Sequence, residues 1–330
     1  MHLQKLISDI LCYKKRGVFV FCKTIKCRLL RIFGVLQLEK IFICPSYICN
    51  ADCAHCYEKF PRQNFKQALT TEQIKNIIDQ FRNLGGCRVY FCSGEFLLRP
   101  DALDIIKYAR SSYMAVSVTT NGILLDEEKI ENLKVAGLTD LIVSLDSSDP
   151  NRHDLLRGVK GCFNKAVNGL RIAREKGINV YIWTYVSKSN FNELEGIVKL
   201  GAELNVKEIF VFFTLLSGHL FNKDKENLSY EERELLRRRF NNRSRVCLEF
   251  QSESDYCIGG GFRHICVMPS GDVTFCPPVP YSYGNIGSKQ LKDCLKNIKS
   301  DYNRFSHCTG QCIVNFAEYR ETCNAKFLYE

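Results

Sequence analysis

Three cysteines near the start of the chain are spaced so that their thiolates can share one metal centre. They form the pattern C-x3-C-x2-C at Cys49, Cys53 and Cys56, and the aromatic Tyr57 follows at once. Thiolates are soft ligands that suit iron–sulfur clusters. A closed zinc or iron–sulfur site takes four protein ligands, so three cysteines around a [4Fe-4S] cluster would leave one iron open to a small molecule.

A structural zinc site is the alternative, with His55, Cys44 or a distant residue as the fourth ligand. The motif as a whole, however, resembles that of the radical S-adenosylmethionine (SAM) enzymes. In that family the open iron chelates the amino and carboxylate groups of the SAM methionine, and an electron from the cluster cleaves SAM to a 5′-deoxyadenosyl radical. The resemblance implies a [4Fe-4S] cluster and SAM as cofactors, which the protein positions and shields.

A second segment resembles the part of the family that binds the SAM amino group. Ser93, Gly94 and Glu95 stand where the family has Gly-Gly-Glu-Pro, with Ser93 in place of the first Gly and Phe96 in place of the Pro. A cationic amino group needs hydrogen-bond acceptors, which carbonyl and carboxylate oxygens provide. The resemblance therefore implies that this segment and Glu95 hold the amino group.

Polar residues after later strands extend the resemblance. Thr120 and Asn121 belong to a Thr-Asn-Gly turn, and Ser144 and Asp146 follow the next predicted strand. The family uses polar groups at these places near the SAM ribose and carboxylate. Asn190, after the fifth predicted strand, is a further candidate for SAM contact.

His153 lies in a run, residues 149–158, that also resembles the family after its fourth strand. One interpretation makes it a general base, and the other makes it a residue that orders its loop. Hydrogen abstraction by a radical requires no base, which favours the ordering role.

Cys92 directly precedes Ser93 at the end of a predicted strand. It is the candidate catalytic residue, because a thiol there could return a hydrogen atom to a substrate radical, as an epimerase requires. The alternative is that Cys92 is a small apolar residue that only packs.

A second group of cysteines occupies residues 257–323, around a predicted hairpin with its turn at residues 270–272. This region resembles the SPASM and twitch extensions found behind radical SAM barrels, which implies one auxiliary [4Fe-4S] cluster. Its candidate ligands are Cys257, Cys276, Cys308 and Cys312, with Cys323 or Cys266 as substitutes. A structural zinc knuckle is the alternative.

The elements that position these residues alternate between strand and helix. A helix is predicted after Thr70, where Thr70 and Gln73 form a capping box and apolar residues recur at helical spacing. Short apolar runs predict six strands, at residues 41–44, 89–91, 115–119, 141–145, 180–186 and 209–213. Six strand–helix units predict an α/β fold with a parallel sheet, whose ligand sites lie at the carboxyl ends of the strands.

The count agrees with the family's (β/α)6 partial TIM barrel, which the resemblance implies for the radical SAM core. We assign residues 39–245 to this barrel, residues 1–38 to a basic amphipathic helical segment, and residues 246–330 to a small cysteine-rich SPASM/twitch-like domain.

Composition limits the class of protein. The chain has 330 residues, 45% of them hydrophobic and 25% charged, which is typical of a globular protein with a large core. It contains 18 cysteines but shows neither a signal peptide nor a membrane span, so metal binding in a reducing cytoplasm is favoured over disulfides. No nucleic-acid-binding module accompanies the net charge of +10.

The positive charge is concentrated in residues 1–36, which hold eight Lys or Arg residues against one Asp. Apolar residues at helical spacing there suggest a basic amphipathic segment that contacts an anionic membrane surface from the cytoplasmic side. The favoured interpretation is a helical segment that packs on the barrel with its lysines in water, because solvated charged faces are common. Liposome flotation with and without residues 1–36 separates the two, because only a membrane-binding segment changes the partitioning.

The resemblance implies an oxidoreductase that modifies an unactivated C–H position by oxidation, cross-linking or epimerisation. The resemblance implies a peptide or protein substrate, with a carbohydrate such as an aminocyclitol, acted on by a dehydrogenase or epimerase, as the alternative. An electron donor such as flavodoxin or ferredoxin is expected. A non-catalytic iron–sulfur or zinc scaffold is the alternative of another class, but a scaffold does not need an open iron.

Overall fold

The computed structural model describes most of the chain from residue 38 onward. The described ranges are 38–64, 66–213, 226–240, 243, 245–248, 263–305, 313 and 316–328, together with residues 20, 22, 25, 26 and 29. Three of the candidate auxiliary ligands, Cys257, Cys308 and Cys312, lie outside them, as does most of the basic segment 1–36.

Within these ranges, nine strands form one sheet in the order β7-β6-β5-β4-β3-β2-β1-β8-β9. Each neighbouring pair from β7 to β8 is parallel, and β9 runs antiparallel to β8. The strands are β1 (Lys40–Ile43), β2 (Arg88–Phe91), β3 (Ala115–Thr120), β4 (Asp140–Ser144), β5 (Asn179–Val186), β6 (Ile209–Phe213), β7 (Val246–Leu248), β8 (His264–Val267) and β9 (Val273–Thr274).

Helices connect the successive parallel strands, as such crossovers require. They are α1 (Lys59–Asn64), α2 (Thr71–Asn83), α3 (Ala102–Ser111), α4 (Glu127–Val135), α5 (Pro150–Arg157), α6 (Cys162–Glu175), α7 (Leu194–Glu203) and α8 (Tyr230–Phe240). The C-terminal region adds α9 (Leu291–Arg304), α10 (Ala317–Thr322) and the antiparallel pair β10 (Tyr281–Ser282) and β11 (Lys326–Phe327).

The predicted α/β fold is confirmed. All six predicted strands are present in chain order and form the parallel run from β1 to β6. The capping box that starts α2 is formed, because Thr70 Oγ1 accepts the Gln73 N–H and Gln73 Oε1 accepts the Thr70 N–H. The apolar face of α2 is buried, as its spacing predicts.

The sheet is wider than the six predicted strands. β7 pairs with β6 at one side, and β8 pairs with β1 at the other. Both strands belong to residues 246–330, which we assigned from sequence to a separate domain, so the C-terminal region shares the main sheet. Strands as short as the three residues of β7 carry little periodic signal.

A buried polar network occupies the amino ends of the strands. Asp140 accepts hydrogen bonds from Ser117 Oγ at 3.1 Å and from Asn179 Nδ2 at 3.0 Å, and Arg88 Nη1 lies 3.9 Å from its carboxylate. Asp140 is 2% exposed, so these partners compensate a buried charge. The groups available for ligand chemistry lie at the opposite, carboxyl ends of the strands.

The C-terminal region has its own buried polar centre. Tyr283 Oη donates to Asp301 at 2.9 Å and lies 3.0 Å from Tyr319 Oη, while the Asn324 N–H donates to Asp301 at 2.8 Å. These bonds tie β10, α9 and α10 together around a carboxylate that is fully buried. Among the described residues, no helix has the length and apolar character needed to cross a membrane.

Candidate active site at the carboxyl ends of the strands

A cavity of about 520 Å³ lies against the carboxyl ends of β1 to β6. Its lining includes residues from the end of each of these strands, from the cysteine loop after β1 and from the segment after β9. Small-molecule sites commonly have volumes of about 300–1,000 Å³. The position matches the one that parallel α/β sheets use for their ligands.

Cys49, Cys53 and Cys56 all line this cavity. Two backbone hydrogen bonds join their loop to the end of α5. The Asp52 N–H donates to the Arg157 carbonyl at 3.2 Å, and the Ala54 N–H donates to the Leu156 carbonyl at 2.9 Å. The loop conformation therefore depends on an element about a hundred residues further along the chain.

Burial disfavours the ionised form of two of the cysteine thiols, although Arg62 acts in the opposite direction. Burial raises the pKa of Cys56 to about 12, with Glu58 and Cys53 adding to the effect, and burial also raises the pKa of Cys49. Thiolates at such positions need a cationic centre, which an iron–sulfur cluster supplies. Within the described part of the chain, no group of three or more His, Cys, Asp or Glu side chains converges on the position of a single metal ion.

Arg157 joins the cysteine loop to the end of β4. Its Nη1 donates to Cys53 Sγ at 3.7 Å, and its Nη2 lies 2.6 Å from Asp146 Oδ2. Burial opposes ionisation of Asp146, but the guanidinium and then His55 hold the pKa of this carboxyl below its usual value. The Tyr185 N–H completes the site by donating to Asp146 Oδ1 at 3.0 Å.

His55, between two of the cysteines, packs on the wall of the cavity. Its ring stacks on that of Tyr185 with centroids 4.4 Å apart and planes 7° apart, and its Nε2 lies 3.5 Å from Asp146 Oδ2. Burial lowers the pKa of His55 to about 4, although Asp146 acts in the opposite direction. The imidazole is therefore neutral at pH 7 and holds the loop by stacking.

The segment Ser93-Gly94-Glu95 turns sharply after β2. Ser93 has φ +77° and Gly94 has φ +52°, a region that non-glycine residues rarely adopt. A Cβ on Gly94 would lie 2.3 Å from the Ile48 carbonyl oxygen, so only glycine fits there. Ser93 adopts the positive φ that a glycine would take without strain. Both residues line the cavity, and their contact with SAM stays a prediction.

Glu95 is buried but is absent from the cavity lining. Its Oε1 accepts the Leu97 N–H at 3.2 Å, and its Oε2 accepts the Asn121 N–H at 2.8 Å. Burial raises the pKa of Glu95 to about 7 against the effect of these two bonds. The carboxylate thus connects the turn after β2 to the turn after β3, and its predicted contact with SAM stays a prediction.

The other predicted polar residues divide into two sets. Thr120, Asn121, Ser144 and Asp146 line the cavity. Asn190 is buried outside the lining, where its Oδ1 accepts the Ser187 N–H at 2.7 Å and its Nδ2 donates to the Tyr185 carbonyl at 2.6 Å. Its contacts order the loop after β5.

Asn121 ties the turn after β3 to the cysteine loop. Its Nδ2 donates to Asn50 Oδ1 at 2.8 Å and lies 3.9 Å from Cys49 Sγ. The Asn121 side-chain amide therefore links the turn after β3 to the cysteine loop after β1.

Cys92 belongs to a cluster of buried thiols. Its Sγ lies 3.7 Å from Cys44 Sγ, which lies 3.4 Å from Cys266 Sγ. Cys92 also reaches the cavity lining. The contact with Cys44, together with burial, raises the pKa of Cys92 well above its ordinary value, so its S–H bond stays intact at neutral pH.

Three of the candidate auxiliary ligands are described, and one of them, Cys266, is buried against Cys44. Cys276 lines the cavity beside Pro277 and Pro278, which brings the C-terminal region to the mouth of the site. Cys323 is half-buried outside the lining, and burial raises its pKa. The auxiliary ligand set stays a prediction.

Several lining residues were not predicted from sequence. Glu58 directly precedes α1 and Arg62 lies in its last turn. Trp183, Thr184 and Phe212 form a wall at β5 and β6. Trp183 and Phe212 pack edge to face with centroids 5.0 Å apart. The sequence signal for Trp183 was the alternation of aromatic residues at positions 181, 183 and 185, because alternate residues of a strand share a face.

His153 orders its loop, in agreement with the interpretation that sequence favoured. It is fully buried, and its Nδ1 accepts the Asp146 N–H at 3.3 Å. Among the described residues its Nε2 has no hydrogen-bond partner.

Replacing His153 with Gln is expected to weaken the pH dependence of stability. Burial lowers the pKa of His153 to about 4, below the value of about 6.5 in an unfolded chain, so stability is lost as the pH falls from about 6.5 to about 4. Urea unfolding of the apo chain measures the free energy of unfolding at about pH 7 and about pH 4.5. The decrease between the two pH values should be smaller in the variant than in the wild type by about 2–3 kcal/mol. An equal decrease in the free energy of unfolding in the wild type and the variant would contradict the lowered pKa of His153.

Three comparisons with known proteins agree with this geometry. Residues 43–201 match the model described as the Radical SAM superfamily. Fe-coproporphyrin III synthase of Methanosarcina barkeri is 34% identical over 184 residues, covering 56% of this chain and 46% of that protein. The antilisterial bacteriocin subtilosin biosynthesis protein AlbA of Bacillus subtilis is 28% identical over 253 residues, covering 72% of this chain and 55% of AlbA.

Among solved structures, SuiB of Streptococcus suis bound to its precursor peptide SuiA has a TM-score of 0.68 and 18% sequence identity. That alignment covers 91% of this chain and 77% of SuiB. The similarity concerns the fold. The chain spans about half the length of the curated relatives it matches.

Proposed function

The chain belongs to the radical SAM superfamily of enzymes, whose cofactors are a [4Fe-4S] cluster and SAM, and we propose that it modifies an unactivated C–H position of a peptide or protein. The observation that carries this proposal is that Cys49, Cys53 and Cys56 line one cavity together with polar residues that follow β2, β3 and β4. When bound, the cluster and SAM supply the electron and the 5′-deoxyadenosyl radical that removes the substrate hydrogen.

The chain's residues fit these cofactors by their chemistry. The three thiols are the soft ligands that a cluster needs, and Arg157 hydrogen-bonds one of them. Thr120, Asn121 and Ser144 present donors and acceptors for the ribose and the carboxylate of SAM. The aromatic wall of β5 and β6 excludes water from the reacting atoms.

Cys92 is proposed as the donor that returns a hydrogen atom to a substrate radical. Its thiol lies at the cavity and keeps its proton, which is what hydrogen-atom donation requires. In this step the Cys92 S–H bond breaks and a substrate C–H bond forms. The thiyl radical left behind is reset by one proton and by one electron from an external donor of the flavodoxin or ferredoxin class.

A peptide or protein substrate is supported by AlbA, because the similarity to that bacteriocin biosynthesis protein extends over more of this chain than the radical SAM match. Cys276 at the cavity supports a role of the C-terminal region, residues 246–330, in an auxiliary cluster close to the substrate.

A porphyrin is the second candidate substrate. Fe-coproporphyrin III synthase has the higher sequence identity of the two curated relatives, and the cavity has an aromatic wall that suits a planar ring. Its alignment covers less of this chain than that of AlbA, which is why we rank it second.

The test is an anaerobic assay of the reconstituted chain with SAM and dithionite. We expect 5′-deoxyadenosine, formed faster with the substrate than without it. Two kinds of probe separate the candidates: a library of short synthetic peptides and a panel of iron porphyrins. A peptide product lighter by two hydrogens indicates oxidation or cross-linking, and deuterium uptake from D2O without that loss indicates epimerisation. Stimulation by an iron porphyrin and by none of the peptides would overturn the peptide proposal.

A further inference from the structure

The cysteine loop has an outer side that faces solvent. Every second residue from Ile48 to Ala54 is exposed, whereas Cys49 and Cys53 between them line the cavity. The loop is therefore a single layer of chain, with the cluster ligands on its inner side and solvent on its outer side. A protein that docks on the outer side is separated from the ligands by this layer alone.

Two large apolar side chains are exposed beside this outer side. Ile48, which directly precedes Cys49, is 67% exposed, and Leu155 is 78% exposed, the highest value among the large apolar side chains that the structure describes. Leu155 belongs to α5, whose next two residues accept the backbone N–H groups of Ala54 and Asp52. Both apolar side chains therefore border the cysteine loop, and exposed apolar groups beside a functional site are candidates for contact with a partner protein.

The same part of the surface concentrates positive charge. Residues 48–66 and 149–165, which contain the loop, α1 and α5, hold seven Lys or Arg residues against four Asp or Glu residues. This excess of three equals that of the whole chain from residue 37 onward, where 38 Lys or Arg residues stand against 35 Asp or Glu residues. Beside the loop, the single Asp52 carboxylate is shared by Lys59 at 3.2 Å and Arg62 at 2.8 Å. A basic surface is complementary to an acidic partner.

Three kinds of partner are candidates for this surface: the substrate, a second copy of the chain and an electron carrier. The substrate must reach the cavity, which lies on the inner side of the loop. A second copy related by two-fold symmetry would place two surfaces of the same positive charge against each other, which is unfavourable. An electron carrier needs proximity to the cluster ligands and a small interface that separates after each transfer, and this surface provides both.

We propose that this surface, the loop face, defined by Ile48, Lys59, Arg62 and Leu155, docks an acidic protein that carries single electrons. The inference rests on the proposed function, because it concerns the partner that supplies the electron for SAM cleavage. The docked carrier is oxidised by one electron, which passes to the cluster held by the three cysteines, and no covalent bond to the carrier forms. Ile48 and Leu155 provide the apolar contact, while Lys59 and Arg62 attract the carboxylates of the carrier.

The experiment measures binding and SAM cleavage by the cluster-loaded enzyme, with flavodoxin as the probe. Isothermal titration calorimetry at low salt gives the affinity for oxidised flavodoxin. Leu155→Glu is expected to weaken this affinity about 10-fold, because it removes an apolar contact and adds a negative charge. Formation of 5′-deoxyadenosine at low concentrations of reduced flavodoxin should fall to a similar extent. Formation driven by dithionite should be unchanged, since a small ion needs no docking surface.

Val135→Glu is the matched control. Val135 is 72% exposed at the end of α4, so this substitution adds the same charge and removes a similar exposed apolar group on a different helix. It should change neither the affinity for flavodoxin nor the rate with either reductant. Iron content is measured in every sample to confirm that the cluster is loaded.

The outcomes separate the loop face from the proposed function. An unchanged flavodoxin affinity in Leu155→Glu, or an equal loss in Val135→Glu, overturns the loop face and leaves the proposed function intact. The same holds for a wild type that cleaves SAM with dithionite but with neither flavodoxin nor ferredoxin. A loss of dithionite-driven cleavage in Leu155→Glu assigns Leu155 a structural role, and a wild-type dimer that this variant dissociates assigns the face to a second copy; each overturns the inference. A wild type that forms no 5′-deoxyadenosine with dithionite overturns the proposed function and, with it, this inference.

Discussion

Replacing Cys49, Cys53 and Cys56 together with alanine is expected to remove about four iron atoms per chain and to abolish 5′-deoxyadenosine formation. These thiols line the same cavity and lie in a loop held by α5. Alanine cannot ligate iron, so the cluster is lost while the backbone contacts of the loop remain. Reconstituted wild type and variant would be compared by iron analysis and by chromatography of the SAM products.

A cysteine outside the cavity lining provides the control for this experiment. Cys247→Ala, on β7, should keep both the iron and the SAM cleavage of the wild type. Iron that persists in the triple variant at one auxiliary cluster, about four atoms, would agree with the C-terminal assignment. Bound zinc and no 5′-deoxyadenosine in the wild type would contradict the radical mechanism.

Replacing Arg157 with Met is expected to destabilise the folded chain by about 3–5 kcal/mol, because it leaves the Asp146 carboxylate buried without its main partner. Arg157 Nη2 lies 2.6 Å from Asp146 Oδ2, and the aspartate side chain is fully buried. The methionine keeps much of the apolar stem, so the loss reports the ion pair. Urea unfolding of the apo chain at about pH 7 measures it.

Arg152 on the same helix is the matched control for Arg157. It pairs with Glu193 at 3.3 Å but is 45% exposed, so Arg152→Met should cost less than about 1 kcal/mol. Adding Asp146→Asn to Arg157→Met should recover stability, because removing both members of a buried ion pair costs less than removing one. Similar losses for the two arginine variants would show that Arg157 is not the dominant buried partner.

Much of the barrel could be predicted from sequence because its signals are local. The capping box at Thr70 and the apolar spacing of α2 act within a few residues, and the structure forms both. The alternation of strands and helices imposes a parallel sheet, which places the residues that follow each strand at one edge. This rule brought the cysteine loop, Gly94, Asn121 and Ser144 to a common cavity.

Contacts between distant segments were not predictable in the same way. Arg157 Nη1 meets Cys53 Sγ across 104 positions of sequence, and Cys44 meets Cys266 across 222. Such pairs depend on strand order and on side-chain direction, for which a single sequence has no local marker. The pairing of β8 with β1 was not predictable for the same reason, since it too joins distant segments of the chain.

The cysteine motif was sufficient to identify the class of chemistry, because ligand type and spacing limit which metal centre can form. The family pattern also pointed to Glu95 as the carboxylate for the SAM amino group. Only the tertiary structure shows that each oxygen of Glu95 accepts a backbone N–H group, one from Leu97 and one from Asn121, so that this carboxylate joins the turns after β2 and β3. The reason is physical: spacing along the chain sets which groups are available, but packing decides which of them are already satisfied and which face the cavity.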